Sequence, residues 1–125
     1  MPLPFLIDED TRDAALWDAI QRFNVTSPDW AIDAIRVGDE GAPGLGTLDP
    51  DVLDWSVKAG RIIVSRDAST LIAVHDEMVA RGTWTPGLLI VRRGFSIPEV
   101  VEYLSLVSHV GRPDEFSCKR DFIPK

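Results

Sequence analysis

The sequence predicts an α/β fold in which a mainly parallel central sheet is flanked by helices, giving a three-layer sandwich. Short apolar runs alternate with amphipathic segments along the whole chain, which is the pattern of parallel strands joined by helices. Glycine, proline and capping signals separate each run from the next. With 125 residues the chain can close one well-packed core, so a single domain over residues 1–125 is expected.

"LPFLI" at 3–7 is the first strand, and a helix follows over about 12–23, where Leu16, Ile20 and Phe23 repeat at helical spacing. "NVTSPD" breaks it. "WAIDAIRV" at 30–37 reads as the second strand and leads into the glycine-rich loop "GDEGAPGLGTLD" at 38–49. Asp49 is placed to cap the next helix, with Pro50 in its first turn and Gly60 at its end. "RIIVS" at 61–65 is strand three. Ser69 is placed to cap a helix that runs to Arg81, with Leu71, Val74 and Met78 inward and Gly82 closing it. "GLLIVRR" at 87–93 is strand four, and "SIPE" at 96–99 is a capping box that opens a helix carrying Val100 or Val101, Leu104 and Val107. A short strand near Phe122 ends the chain.

Hydrophobic residues make up 45% and charged residues 26% of the chain, the values of an ordinary globular domain rather than a disordered one. No apolar run approaches the roughly 20 residues of a membrane span. "MPLPFLIDED" has neither the basic start nor the apolar stretch of a signal peptide, so a cytoplasmic location is expected. One cysteine, Cys118, excludes an intrachain disulfide and a zinc-thiolate cluster. The net charge of −7 opposes a broad basic grip on nucleic acid, while leaving room for a small acidic active site that acts on it.

The acids carry the functional signal. In "FLIDEDTR" at 5–12, three apolar residues run directly into Asp8, Glu9 and Asp10. Right-handed crossovers put the strand ends that feed helices on one edge of the sheet, where α/β folds bind ligands. Asp8 closes strand one, Asp39 closes strand two and Asp67 follows strand three, while Asp51 lies in the first turn of the next helix. Carboxylates at ~4 Å repel by about 4 kcal/mol per pair at an effective dielectric near 20, so such a group calls for separation, protonation or a cation. Oxygen-only ligands favour Mg²⁺ or Mn²⁺. Four of the acids also have a plainer use: Asp51 complements the helix dipole, Asp39 caps a turn, and Glu9 or Asp10 caps the first helix, whereas Asp8 and Asp67 directly follow apolar strands at the ligand-binding edge and read as functional. Arg12 and Arg66 flank the edge and suit either a substrate phosphate or a structural ion pair. His75 and His109 have no partner at metal spacing, and the four tryptophans read as packing groups.

Three families share parts of this pattern. "DEDT" at 8–11 resembles the nucleophile motif of haloacid-dehalogenase phosphatases, with Asp8 as nucleophile and Ser65 closing a later strand; Lys58 comes early for that motif, and "GRPDE" at 111–115 is a poor late acid pair. Receiver domains share the acids after strands one and three but have a lysine after strand four, where this chain has Arg92 and Arg93.

The most extensive resemblance is to the PIN-like domain family of short bacterial proteins related to toxin ribonucleases. It rests on the acid after strand one, "VGDEG", "LDPDVLDWSVKAGRIIVSRD" and "PGLLIVRRGFSIPEVVEYL". The chain departs from it at "DASTL", where many relatives continue Lys-Asp-Phe, so Ser69 stands in place of an acid; Asp10 stands where Asn is common. The resemblance implies a PIN-like three-layer sandwich and a metal-dependent endoribonuclease. Asp8, Asp39 and Asp67 would be catalytic, and these three with Asp51 would hold Mg²⁺ or Mn²⁺. It further implies an RNA substrate, a small antitoxin partner and a homodimer. A degenerate PIN-like domain that binds protein is the second reading.

Overall fold

The computed structural model describes residues 2–8, 14–66 and 69–124. The strands are β1 (Phe5–Ile7), β2 (Ala34–Arg36), β3 (Ile62–Ser65), β4 (Leu88–Val91) and β5 (Arg120–Ile123). The helices are α1 (Ala14–Thr26), α2 (Asp49–Ala59), α3 (Ser69–Ala80), α4 (Ile97–Val110) and α5 (Pro113–Phe116). All strand pairs are parallel, in the order β2-β1-β3-β4-β5. Among the described residues no helix is long and apolar enough to cross a membrane.

β1, β3 and β4 are buried throughout and almost wholly apolar because both sheet faces are covered there, whereas the edge strands β2 and β5 are, apart from Ile123, half-buried or exposed and carry Arg36, Arg120 and Asp121. Phe5, Ile7, Val64, Leu89, Val91 and Ile123 pack against α1 and α4, chiefly against Leu16, Ile20, Val100 and Leu104. Leu6, Ile63, Leu88 and Ile90 pack on the other face against Val52 and Leu53 of α2 and Leu71 and Met78 of α3. The expected α/β sandwich is therefore present. Strand order 2-1-3-4-5 recurs in doubly wound folds of unrelated activity, so it locates the ligand-binding edge without naming a ligand.

One connection departs from the expected handedness. The chain moves in the same direction across the sheet from β2 to β3, to β4 and to β5. Yet α2 and α3 lie on one face, and α4 lies on the other beside α1. The β4-α4-β5 crossover thus has the opposite hand to the two before it. Its cause is coverage: α1 alone would leave the β3–β5 half of its face open, and the stripe Val100, Leu104, Val107 fills that half.

Several boundaries differ from those expected. α1 runs beyond Phe23 to Thr26 because Asn24 fastens its end to the next segment, donating to Ile32 O at 2.9 Å and accepting from Ile32 N at 2.7 Å. It stops before Pro28, which disfavours helix in the residue preceding it. Trp30 lies in a 3-10 turn, Pro28–Trp30, and not in β2. Leu48, rather than Asp49, is the N-cap of α2, so Asp49 and Asp51 both sit in its first turn facing the favourable end of the dipole. Ser69 is already helical. The Ser96–Glu99 capping box is present as expected, and Phe122 lies in β5, paired with Ile90. α5, begun by Pro113, is an element the sequence pattern does not announce.

His75 is a core residue of α3. Its Nε2 shares a 2.7 Å hydrogen bond with Thr85 Oγ1, while buried Nδ1 has no hydrogen-bond partner. Burial lowers its pKa below the usual 6.5; Asp76 opposes the shift and Arg120 adds to it. The unfolded chain therefore takes up this proton at a higher pH than the folded one. Stability is fully present above about pH 6.5 and falls as the pH drops below it, by at most about 1.4 kcal/mol per unit. Urea melts at pH 7.5 and 5.5 are expected to show a loss that His75→Gln reduces; an identical loss in that variant would assign the slope to other groups.

Candidate functional site at the carboxyl edge

β1 lies between β2 and β3, and the chain leaves it in opposite directions, first to β2 and then back across to β3. Such a switch point opens a crevice at the carboxyl ends of the strands. Asp8 is the residue that emerges there. Its backbone N–H donates to Val64 O at 2.9 Å, extending the β1–β3 ladder by one residue. Asp8 is only 5% exposed, and its carboxylate accepts a 3.0 Å hydrogen bond through Oδ2 from the hydroxyl of Ser65, which is fully buried. A buried carboxylate is costly unless it is well partnered, and here the hydroxyl that ends β3 orients it.

Asp39 lies just beyond β2 and is engaged by Arg36. The Arg36 backbone N–H donates to Oδ2 at 2.9 Å, and the guanidinium meets Oδ1 at 3.1 Å through Nη2. This is the turn-capping use expected of an aspartate in a tight loop. The same guanidinium lies over the Trp17 ring, 4.5 Å from its centroid, so Arg36, Asp39 and Trp17 lock the exit of β2. Asp51 is exposed in the first turn of α2. Arg66 is exposed directly after Ser65. Asp67, Arg12, Glu9 and Asp10 lie outside the described residues.

The described residues thus place Asp8 and Ser65 together. They do not assemble a group of three or more His, Cys, Asp or Glu side chains able to hold a metal ion. As a donor set for Mg²⁺ or Mn²⁺ they supply one buried carboxylate, Asp8, of the right hardness; Asp39 is shared with Arg36, and Asp67, two residues after Ser65 in sequence, lies outside the described residues. The edge is not uniformly negative, because Arg36, Arg66, Arg92 and Arg93 all stand at the carboxyl ends of the strands.

The remaining groups a phosphatase would need are elsewhere. Lys58 is in the last turn of α2, which leads into the start of β3, and Asp114 and Glu115 are in α5, which precedes β5. Both therefore lie toward the amino edge of the sheet, away from Asp8. No family model, curated protein or solved structure matches this chain.

Two features of the site are not evident from the motifs alone. The Arg36–Asp39 pair has a local signal, a charge spacing of three around the turn "RVGD". The bond from Ser65 to Asp8 has a subtler sign: a polar residue closing an apolar strand adjacent to β1. In the sequence Ser65 stands out through the phosphatase resemblance and as the serine of "SRD" in the PIN-like pattern.

Proposed function

We propose that this protein is a divalent-metal-dependent endoribonuclease of PIN-like type. The observation that carries the reading is the Asp8 carboxylate, buried at the switch point of a parallel sheet and oriented by Ser65. Asp8 and Asp67 would be the principal ligands of Mg²⁺ or Mn²⁺, with Asp39 and Asp51 at the periphery. The bound ion supplies Lewis acidity for the phosphodiester and lowers the pKa of a water. The chain's own contribution is positional: Ser65 holds Oδ2 of Asp8, the β1–β3 ladder fixes its backbone, and Arg36 keeps the β2 exit in place. The same reading carries a cytoplasmic location, a small antitoxin partner and a homodimer as expectations.

The protein-binding reading is favoured by one observation, the commitment of Asp39 to Arg36, together with Ser69 at a position where many relatives have an acid. Incubating a labelled single-stranded RNA pool with Mn²⁺, Mg²⁺ or EDTA separates the two. Cleavage that needs the metal and falls at least about a hundredfold in Asp67→Asn is expected. Silence, or equal cleavage by both preparations, would put protein binding first, and hydrolysis of small phosphate esters lost in Asp8→Asn would favour a phosphatase.

A further inference from the structure

Beside the acidic edge, the carboxyl ends of β3, β4 and β5 enclose an open cleft of about 920 Å³, within the range of small-ligand sites. Its lining includes Arg66, Arg92 and Arg93, with Phe95 and Phe122, and no acidic side chain among the described residues. In a chain with net charge −7, the exposed Arg92 and Arg93, adjacent on this rim, make the cleft locally positive among the described residues. Such a cleft concentrates anions.

The cations are arranged for use. Arg92 lies over the Phe122 ring, 4.7 Å from its centroid, and its Nε donates to Pro124 O at 2.9 Å. The guanidinium is thereby fixed as a flat charged surface, with Nη1 and Nη2 left for an incoming acceptor. Arg93 is exposed and makes no ion pair among the described residues. Gly94, at φ +84°, turns the chain toward the Ser96 cap and leaves both arginines on the rim. Phe95 is braced edge-on by Tyr103, with ring centroids 6.3 Å apart. Fixed guanidinium groups beside aromatic rings suit a phosphate linked to a stacking base, because single strands are held by cationic grooves and aromatic platforms together.

We propose that this cleft is a metal-independent anchoring subsite for single-stranded RNA, in which Arg92 and Arg93 hold a backbone phosphate and the aromatic rings contact its base. β1 and β4 are separated by two strand spacings, about 10 Å. Neighbouring nucleotides of one extended strand can therefore reach both the cleft and Asp8. The inference rests on the ribonuclease reading for its choice of ligand, and it adds the place where the strand is gripped outside the acids.

The test is fluorescence anisotropy of a labelled uridine-rich single-stranded RNA in EDTA, with polyglutamate as competitor. Wild type is expected to bind, and Arg93→Ala to lose affinity by on the order of tenfold, with its log–log salt slope shallower by about 0.7. Thermal melts of the variant confirm folding. Equal binding by wild type and Arg93→Ala, or competition by polyglutamate as strong as by unlabelled RNA, would overturn the proposal. Arg93-dependent binding without any cleavage would refute the nuclease while keeping the cleft; cleavage with binding indifferent to Arg93 would do the reverse.

Discussion

Asp8→Asn is expected to abolish metal-dependent RNA cleavage while leaving the protein folded, a loss of about a hundredfold or more in turnover. The amide has the shape of the carboxylate and still offers an oxygen to the Ser65 hydroxyl, 3.0 Å away in the native protein. Packing around a position only 5% exposed is therefore preserved. What changes is the charge and, with it, the hardness of the oxygen toward Mg²⁺ or Mn²⁺. A metal's stabilisation of a phosphoryl transition state is worth several kcal/mol, and about 2.7 kcal/mol is a hundredfold in rate. Folding stability should change by only about 1 kcal/mol, the scale of one hydrogen bond. Rate measurements and urea melts on the same preparation separate these effects. Full activity in the variant would remove Asp8 from the site, and a collapse of the fold would make it structural.

Gly87→Ala should give the largest loss of stability from a single added carbon. Gly87 enters β4 at φ +121°, a conformation that side chains rarely adopt, and its Cβ would collide with the backbone carbonyl oxygen of Phe116 at the end of α5. Strain of this kind costs roughly 1–3 kcal/mol, and a clash with backbone cannot be relieved by a rotamer change. The two together amount to about 3 kcal/mol or more, or a Tm lowered by on the order of 10 °C. Gly41 is the internal control. Its φ is +82°, and a Cβ added there would meet nothing within 4 Å, so Gly41→Ala should cost only the conformational part, about 1 kcal/mol. Thermal melts of both variants measure the difference, and equal losses would show that the Phe116 carbonyl yields.

The layered fold is legible in the sequence because the determinants of its strands are local. β3 and β4 are continuous apolar runs, and Ser96 with Glu99 announces α4 through a reciprocal hydrogen bond that needs only a spacing of three. Trp30 is assigned to the wrong element by its sequence, because an apolar residue near a strand looks the same whether it begins the strand or packs beside it. In the structure its ring meets His109 edge-on at 5.5 Å, a contact with α4 that sequence separation conceals. The face taken by α4 is equally hidden, since it follows from which half of the sheet the other helices leave uncovered.

At the site, Asp8 is legible from an acid placed directly after an apolar run. The use of Asp39 by Arg36 is harder to see, because a carboxylate at a strand end suits a turn and a metal equally until its partners are known. The basic cleft is spread over "SR", "RRGF" and Phe122, segments that only the order β3-β4-β5 brings together.

Titration of Mn²⁺ followed by electron paramagnetic resonance shows whether Asp8 holds a divalent cation at this edge. The free-ion signal should be lost saturably on adding wild-type protein and should persist with Asp8→Asn. Equal binding by the two proteins, or no saturable binding by wild type, would show that Asp8 is not a ligand of the ion.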